Sequence, residues 1–344
     1  MKLTSLRLVH LPPFGDVTIP FAEEDGSPRP LTVLFGGGGV GKTTVLGAIA
    51  ATRPGYAIAL APAADGSPLV VTEWSLGVDD SERPHPLRIA TPTGRVDADE
   101  HAETLRRREQ AHFDKVTKDG GFVFVALPST RWFSRQPIAM NAPSRTIARY
   151  DVRAPAVFED ATRSDLARET KQAVAYAAIT AALSRDRGGA SQGRFGDAMA
   201  HAVDRLVAIA GFSYAGVDPV SLEPLFKDEE GAVVPFDALP TRARHLVAFA
   251  ALPLRALVAA YPGKDPLQLE GVVCIDELEL QQDSLAQGNI LGCLRSVLPR
   301  VQWIVTTTSP VVAASADARE VLALRKLPRA TEVQLFSGAE ARVH

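Results

Sequence analysis

A glycine-rich stretch near the N-terminus has the residue types of a phosphate-binding loop. Residues 36–43 read GGGGVGKT, which matches the pattern G-x-x-x-x-G-K-[S/T] at every fixed position. Consecutive glycines let backbone N–H groups turn inward around a phosphate, because no Cβ stands in the way. An apolar run, Leu31–Phe35, precedes the loop, and a helix-compatible stretch, Lys42–Ala51, follows it. The pattern therefore predicts a strand, a phosphate-binding loop and a helix in succession.

The residues of this loop have separate predicted roles in nucleotide binding. Lys42 would reach the β- and γ-phosphates of ATP, and the Thr43 hydroxyl would ligate Mg²⁺. The positive end of the following helix would point at the same phosphates. A glycine-rich turn that happens to precede Lys-Thr is the structural alternative. The predicted nucleotide-binding residues are Gly36, Gly37, Gly38, Gly39, Val40, Gly41, Lys42, Thr43 and Thr44.

An apolar strand that ends in two acidic residues lies far downstream. Residues 271–277 read GVVCIDE, which is the Walker B pattern. Asp276 would hold the hydration shell of Mg²⁺, and Glu277 would orient or polarise the attacking water. A buried strand that ends in a solvated Asp-Glu turn is the structural alternative. The phosphate loop in the same chain favours the catalytic interpretation.

Together the two motifs resemble ABC-type ATPases of the SMC/RecF-like group, particularly the standalone bacterial AAA-type ATP-binding proteins. Residues 3–21 resemble the family's N-terminal hairpin, residues 276–280 (DELEL) its acidic strand end, and residues 301–310 its last strand and switch loop. The resemblance covers both ends of the chain, and residues 56–210 have little of it. It implies an ATPase head with ATP and Mg²⁺ as ligands and a dimer that forms on ATP binding.

Two segments depart from the family's pattern. The family's switch loop has a histidine, which contacts the γ-phosphate, at the position of Thr308, so Thr308 is the candidate catalytic substitute. The signature motif Leu-Ser-x-Gly-Glu stands here as LPTRA at residues 239–243. Because this motif closes over the partner's γ-phosphate in the family, its change implies weakened or altered dimerisation. Thr241 could offer a hydroxyl and Arg242 or Arg244 a charge, or the segment is an ordinary helix start.

The loop at residues 128–155 is rich in Pro and Arg. Gln136 in this loop is the candidate Q-loop glutamine of the family, and an exposed loop glutamine is the alternative. With Trp132 and Phe133, the arginines could form a surface that contacts a nucleic acid or a nucleotide. The alternative is a solvated loop whose arginines pair with acidic residues elsewhere. These arginines are Arg131, Arg135, Arg145, Arg149 and Arg153.

The elements that must position these residues alternate between strands and helices, which favours a parallel α/β sheet. Apolar runs predict buried strands at residues 31–35, 122–127, 272–276 and 301–306, and alternation predicts an N-terminal hairpin at residues 3–9 and 17–21. Short strands in residues 56–90 predict an antiparallel side sheet, and residues 97–115 predict a charged helix. A second hairpin is predicted at residues 222–226 and 232–236.

Helices are predicted to fill the rest of the chain. Helical periodicity at residues 166–181 and 199–210 predicts two amphipathic helices, joined by a loose connection at residues 188–196. Further helices are expected from residue 241 and over residues 283–298. The predicted fold is thus a P-loop NTPase with an ABC/SMC-like head: a mostly parallel central sheet, an antiparallel side sheet and a helical insertion.

We expect three segments. Residues 1–127 form an N-terminal lobe with Walker A and the side sheet, residues 128–210 hold the Arg-rich loop and the helical insertion, and residues 211–344 form a C-terminal lobe with Walker B and the switch loop.

Composition predicts a soluble, cytoplasmic protein. The chain has 344 residues, 46% of them hydrophobic, and a formal net charge of −3, so nothing global favours nucleic-acid or anionic-membrane binding. Cys274 and Cys293 are predicted to be reduced core residues. Charged residues interrupt the N-terminus, and residues 246–260 are too short to span a bilayer. We therefore expect no membrane contact.

Three functional hypotheses remain from the sequence. The first is an ATPase that couples ATP binding and hydrolysis to dimerisation or another conformational change and acts with a partner protein in bacterial genome maintenance or defence. The second is a nucleotide-binding regulatory module with little turnover, which the changed signature and switch residues favour. The third is an ATP-dependent DNA-binding repair factor, for which the Arg-rich loop is the local support.

Overall fold

A computed structural model describes residues 1–53, 68–75, 87–91, 122–135, 137–138, 140, 165–187 and 190–342. Several predictions lie outside these ranges: the charged helix at residues 97–115, the Q-loop candidate Gln136, and the loop arginines Arg145, Arg149 and Arg153. The described strands are β1 (Lys2–Val9), β2 (Asp16–Pro20), β3 (Leu31–Phe35), β4 (Leu69–Ser75), β5 (Leu87–Thr91), β6 (Phe124–Leu127), β7 (Ser213–Val217), β8 (Pro224–Lys227), β9 (Val233–Pro235), β10 (Gly271–Ile275), β11 (Val301–Thr307), β12 (Val321–Arg325) and β13 (Gln334–Ser337). The described helices are α1 (Lys42–Ala51), α2 (Leu166–Arg187), α3 (Ala190–Val207), α4 (Thr241–Ala260), α5 (Ser284–Val297) and α6 (Pro310–Ser315).

The centre of the molecule is a six-stranded sheet in the order β13-β12-β3-β11-β10-β6. All neighbours pair in parallel except the edge strand β13, which runs antiparallel to β12. Every residue of β3, β10 and β11 is buried, which is why their sequences are mostly apolar rather than alternating. Because the strands are parallel, the loops that follow β3, β6, β10 and β11 meet at one edge of the sheet.

A second sheet of four antiparallel strands, β2-β1-β4-β5, lies beside the first and confirms the predicted antiparallel side sheet. Gln302 in β11 joins the two sheets, since its side-chain amide bonds both the N–H and the carbonyl of Leu3 at 2.8 Å. Helix α1 shares one hydrophobic cluster with this side sheet and one face of the central sheet; the members include Leu3, Leu6, Val45, Leu46, Ile49 and Trp74. The first turn of α1 is therefore held firmly at the end of β3.

Helices cover the other face of the central sheet. Helices α2, α3 and α4 share one hydrophobic cluster with Leu31, Val33 and Phe35 of β3. One described helix, α4, is long and apolar enough to cross a membrane by length and composition, but 78% of the tested window is buried inside the protein. Core helices of soluble proteins share this length and composition, so the helix is weak evidence for a membrane span.

The predicted loose connection at residues 188–196 is wrong. Helix α3 begins at Ala190, so the glycines in the second half of this segment lie within a helix. A Cβ on Gly196 would lie 2.3 Å from the Cβ of Ala181 in α2. This glycine therefore permits two helices to pack closely, which a single sequence does not distinguish from a loop signal.

A small antiparallel sheet, β7-β8-β9, contains the predicted hairpin and one strand, β7, that the sequence did not reveal. The side chain of Lys171 in α2 is 1% exposed and pairs with Glu223 at 3.2 Å and Asp237 at 2.9 Å. This buried cation fastens the small sheet and the start of α4 to the helical layer. The other predicted strands and helices that fall in the described ranges are confirmed close to their predicted bounds.

The two hydrophobic clusters draw residues from both ends of the chain. One joins β3 to α2–α5, and the other joins β1 to Val272 and Leu324. The three predicted segments are thus divisions of the sequence that share their cores, and their separate roles stay a prediction. Cys274 and Cys293 are both free, and burial raises the pKa of the Cys274 thiol.

Candidate functional site

The glycine-rich loop leaves β3 at the edge where the parallel strands end. Gly36 continues the sheet, because its N–H donates to the carbonyl of Thr307 in β11 at 3.3 Å. Gly41, at the N-cap of α1, has a φ of 88°, and a Cβ there would lie 2.7 Å from the ring of Phe14. Glycine is required here by both backbone and space. The loop thus turns directly into the first turn of α1, as the sequence predicted.

Lys42 lies across the loop. Its side chain is largely buried, and its Nζ donates to the carbonyls of Gly36 at 2.8 Å and Gly37 at 2.7 Å. Burial lowers the pKa of Lys42, while the nearby carboxylates of Glu279, Asp276 and Glu277 act to raise it. The ammonium group therefore stands at the loop near three carboxylates, where a phosphate group could replace the carbonyls as its acceptor.

Asp276 follows β10 and is fully buried. Its Oδ2 accepts from the Thr43 hydroxyl at 2.9 Å, and its Oδ1 accepts from the Thr306 hydroxyl at 2.6 Å. The first contact joins residues that are 233 positions apart, at the end of β10 and the start of α1. The two predicted Mg²⁺ ligands are therefore neighbours in the structure. Thr306 was missed, because a threonine inside a strand also has the residue type of an ordinary β position.

The donor chemistry at this point fits magnesium. Carboxylate and hydroxyl oxygens are hard ligands, and Mg²⁺ is held by one or two carboxylates together with waters and substrate phosphates. Within the part of the chain that the structure describes, no group of three or more His, Cys, Asp or Glu side chains forms a metal cage.

Glu277 follows Asp276 and is half-buried. Its φ is 47°, in the left-handed region that residues other than glycine seldom adopt. Its N–H donates to the Thr306 hydroxyl at 2.7 Å. Burial raises the pKa of Glu277, and the neighbouring charges of Asp276 and Glu279 raise it further. A carboxyl whose pKa is raised is a better proton acceptor when ionised.

Arg131 of the Arg-rich loop does not form part of an exposed nucleic-acid surface. It is 5% exposed, and its guanidinium donates to backbone carbonyls of Pro128, Asp276 and Glu277. A side chain with these contacts does not reach a nucleic acid. Arg135 and Trp132 are exposed, and Phe133 packs against Phe236.

The switch position Thr308 is exposed, and both its backbone N–H and its hydroxyl donate to Glu279 Oε1 at 2.7 Å. The hydroxyl is therefore engaged within the chain. Ser309 caps helix α6, and its own hydroxyl donates to Gln287 at 2.6 Å. Thr44, in the first turn of α1, is half-buried.

The changed signature segment is also tied into its own chain. Pro240 stands at the N-cap of α4, and the Thr241 hydroxyl accepts from Arg244 at 3.2 Å. Arg242 pairs with Asp283 and donates to the carbonyl of Ala210 at 3.3 Å. The arginines that could have offered a charge to a partner's nucleotide thus have partners of their own.

No family model matches the chain. Two solved structures are similar to it over nearly all of both chains. One is described as an SmcHead bound to the C-winged helix domain of ScpA, with 16% identity, 100% of each chain covered and a TM-score of 0.53. The other is the Smc head domain with an extended coiled coil bound to the C-terminal domain of ScpA derived from Pyrococcus furiosus, with 15% identity, 98% of this chain and 96% of that chain covered, and a TM-score of 0.52.

Proposed function

We propose that this chain, which has the fold of an SMC head domain, binds Mg²⁺-ATP at residues 36–44 and hydrolyses it to ADP and phosphate. One observation supports the proposal most strongly: the Thr43 hydroxyl contacts the Asp276 carboxylate at 2.9 Å. Two motifs that were identified independently in the sequence thereby meet at one point, at the edge where nucleotides bind in sheets of this kind.

The loop residues would bind the phosphates. The backbone N–H groups of residues 37–41 and of the first turn of α1 would donate hydrogen bonds to the phosphate oxygens, and Lys42 would transfer its hydrogen bonds from Gly36 and Gly37 to the β- and γ-phosphates. Thr43 and Asp276 would hold the magnesium, directly or through water. When bound, Mg²⁺ would neutralise charge on the phosphate oxygens.

Glu277 would act on the attacking water. Glu277 follows Asp276 directly, and the hydrogen bond from its N–H to Thr306 fixes its backbone at the end of β10. We assign it the role of orienting the water and accepting its proton. Thr308 would contribute only after it exchanges its contact with Glu279 for one with the γ-phosphate.

We propose that ATP binding drives a switch in assembly or shape. The similar SmcHead structure is described as bound to a winged helix domain of ScpA. By analogy we assign this chain a protein partner, a homodimer that forms on ATP binding, and a cytoplasmic role in genome maintenance or defence. The surface that contacts the partner is not assigned.

Nucleotide binding and assembly can be tested together. We expect a fluorescent ATP analogue to bind the wild type in the presence of Mg²⁺ and not to bind Lys42→Ala. Light scattering after size-exclusion chromatography should show Glu277→Gln as a dimer with ATP and a monomer without it. A wild type that does not bind the analogue would contradict the proposal as a whole. A Glu277→Gln variant that stays monomeric with ATP would contradict only the proposed dimer and not nucleotide binding.

A regulatory module with little turnover is the second candidate. It is favoured by the contacts that bind Thr308 to Glu279 and Arg242 to Asp283 within the chain. This candidate predicts that the wild type binds ATP and releases phosphate no faster than Glu277→Gln does. The first candidate predicts a clear difference between the two proteins.

A further inference from the structure

A buried arginine, Arg131, bonds the backbone of the turn that contains Asp276 and Glu277. Nη1 of Arg131 donates to the carbonyls of Pro128 at 2.8 Å and Asp276 at 2.6 Å, and its Nη2 donates to the carbonyl of Glu277 at 2.7 Å. Pro128 follows β6 and Asp276 follows β10, so one guanidinium joins the ends of two neighbouring strands. Its planar fork reaches several acceptors at once.

The two peptide groups on either side of Glu277 have all four of their polar atoms bonded. In the first, the Asp276 carbonyl accepts from Arg131 and the Glu277 N–H donates to the Thr306 hydroxyl at 2.7 Å. In the second, the Glu277 carbonyl accepts from Arg131 and the Leu278 N–H donates to the Thr306 carbonyl at 2.9 Å. Because a peptide group is planar, Arg131 and Thr306 together fix both planes and hence the φ and ψ of Glu277.

The backbone of Glu277 requires such support. Its φ of 47° lies in the left-handed region, which a residue with a Cβ adopts only when its surroundings determine it. The contacts with Arg131 and Thr306 hold both peptide planes, and the Glu277 carbonyl also accepts from the N–H of Leu280 at 3.0 Å. A change in either peptide plane would swing the Cα–Cβ bond and redirect the carboxylate.

Arg131 is itself held in place. Its guanidinium lies over the ring of Phe249 in α4 at 5.2 Å from the centroid. Burial lowers the pKa of Arg131 to about 10, so it stays protonated at neutral pH. The arginine is thus a fixed donor and not a mobile surface charge.

We propose that Arg131 is a positioning residue for ATP hydrolysis, which sets the direction of the Glu277 carboxylate without touching the nucleotide. The inference rests on the proposed function and adds to it a residue outside both sequence motifs. It also explains why a basic residue of this loop is buried, at a place where the sequence indicated an exposed surface.

The kinetic test uses Arg131→Met and Arg131→Lys, with Arg255→Met as the matched control. Arg255 is also a buried arginine, 4% exposed, and it pairs with Glu169 at 3.7 Å within the helical layer. We expect Arg131→Met to lower kcat by about 100-fold, the scale of a misplaced catalytic group, with little change in affinity for a fluorescent ATP analogue. Arg131→Lys should recover part of the rate, since an ammonium group can reach one of the carbonyls. Arg255→Met should keep the kcat of the wild type per folded molecule.

A second measurement does not depend on turnover. Hydrogen exchange read by mass spectrometry should show faster exchange at residues 276–280 in Arg131→Lys than in the wild type, and no such change in Arg255→Met. Arg131→Lys keeps the positive charge, so it is the variant to use if Arg131→Met does not fold.

The outcomes separate the two proposals. If the wild type hydrolyses ATP and Arg131→Met keeps its kcat, or loses it only in proportion to ATP affinity, the positioning role is wrong. Unchanged exchange at residues 276–280 in Arg131→Lys would contradict it as well. If the wild type does not hydrolyse ATP, the proposed function fails, and the exchange result still decides whether Arg131 holds the turn.

Discussion

The polar side chains in two regions of the molecule differ in their burial and in their contacts. At the strand ends, Thr43, Asp276, Glu277 and Thr306 contact one another over a buried carboxylate. We call these four residues the strand-end cluster. At the outer positions, Thr241, Arg242, Arg244 and Thr308, the side chains are half-buried or exposed, and they bond to polar groups of their own chain. We call these four the outer residues.

The difference in burial between the two regions indicates which contacts are hard to break and which are easily exchanged. The strand-end cluster meets at the Asp276 carboxylate, which is fully buried, and hydrogen bonds to a buried charged group are worth more than exposed ones and cost more to break. The ion pair of Arg242 with Asp283 and the hydrogen bond of Thr308 to Glu279 are exposed contacts that solvent screens. Under the proposed function, binding and hydrolysis would depend on the strand-end cluster, and the exposed contacts of the outer residues could be exchanged at low cost when a partner or a nucleotide arrives.

The largest effect should come from Lys42, which contacts the loop itself. Lys42→Ala removes the buried ammonium group, and we expect a loss of at least about 100-fold in kcat/KM, the scale for removing one donor that stabilises developing charge. Lys264→Ala, on an exposed lysine after α4, serves as the control and should match the wild type. Steady-state phosphate release measures both. Equal rates for the two variants would show that the loop does not bind the phosphates.

Thr306→Val tests the strand-end cluster directly. The valine leaves Asp276 Oδ1 without its donor and the Glu277 N–H without its acceptor, so we expect a loss of about 1–3 kcal/mol in the free energy of unfolding and a marked fall in kcat.

Thr32→Val is the matched control for this change. Thr32 is fully buried in neighbouring strand β3, and its hydroxyl has no hydrogen-bond partner within the described ranges. We expect this variant to be neutral or stabilising in urea denaturation. If Thr306→Val and Thr32→Val lose the same free energy of unfolding, the hydrogen bonds of Thr306 do not contribute to stability.

His245 connects α4, where the outer residues Thr241, Arg242 and Arg244 lie, to the turn after Glu277, and its burial should make the free energy of unfolding depend on pH. Burial lowers the pKa of His245 in α4 to about 3, and its Nδ1 lies 3.3 Å from the carbonyl of Leu280 in the turn after Glu277. An unfolded histidine has a pKa near ~6.5, so between these two values the unfolded state binds a proton that the folded state does not. The free energy of unfolding should therefore be highest above this window and fall by up to about 1.4 kcal/mol per unit as the pH drops through it.

His245→Phe removes this proton and should show a shallower fall between pH 6.5 and pH 5, the part of the window where fewest carboxylates titrate. His201→Gln, on an exposed histidine of α3, is the matched control and should keep the wild-type slope. Urea denaturation across this range measures the slopes. Identical slopes for the wild type and His245→Phe would mean that the buried imidazole does not couple the turn to α4.

The smallest effect should come from the outer residues. Arg242→Met breaks the pair with Asp283, whose side chains are 38% and 46% exposed. Because exposed ion pairs contribute little, we expect a change below about 1 kcal/mol in the free energy of unfolding. Phosphate release by the monomer should stay near that of the wild type. A fall in rate comparable to that of Thr306→Val would erase the distinction between the two regions.

The sequence predicted the parts of the site that are local patterns. The loop before Lys42 and the strand before Asp276 each contain their signal within a few residues, and the alternation of strands and helices predicted the parallel sheet to which both belong. The similarity to SMC heads was also predicted, from the two ends of the chain, and the fold confirms it.

The rest of the site depends on tertiary contacts that no local pattern reveals. Thr306 has an unremarkable place in a β-strand until the structure shows that it contacts Asp276 and Glu277. Arg131 belongs to a basic loop, and only its burial between strand ends shows that its acceptors are backbone carbonyls. Gly196 likewise indicated a loop, although it serves the packing of α2 on α3. In each case the residue type is compatible with two environments.

The most direct test of the account is phosphate release from ATP by the wild type and by Glu277→Gln, with Mg²⁺ and with EDTA in its place. The account predicts that the wild type releases phosphate only with Mg²⁺, and that Glu277→Gln binds ATP but releases phosphate at least about 100-fold more slowly. A wild type that binds ATP but releases phosphate no faster than Glu277→Gln would contradict hydrolysis and favour the regulatory module.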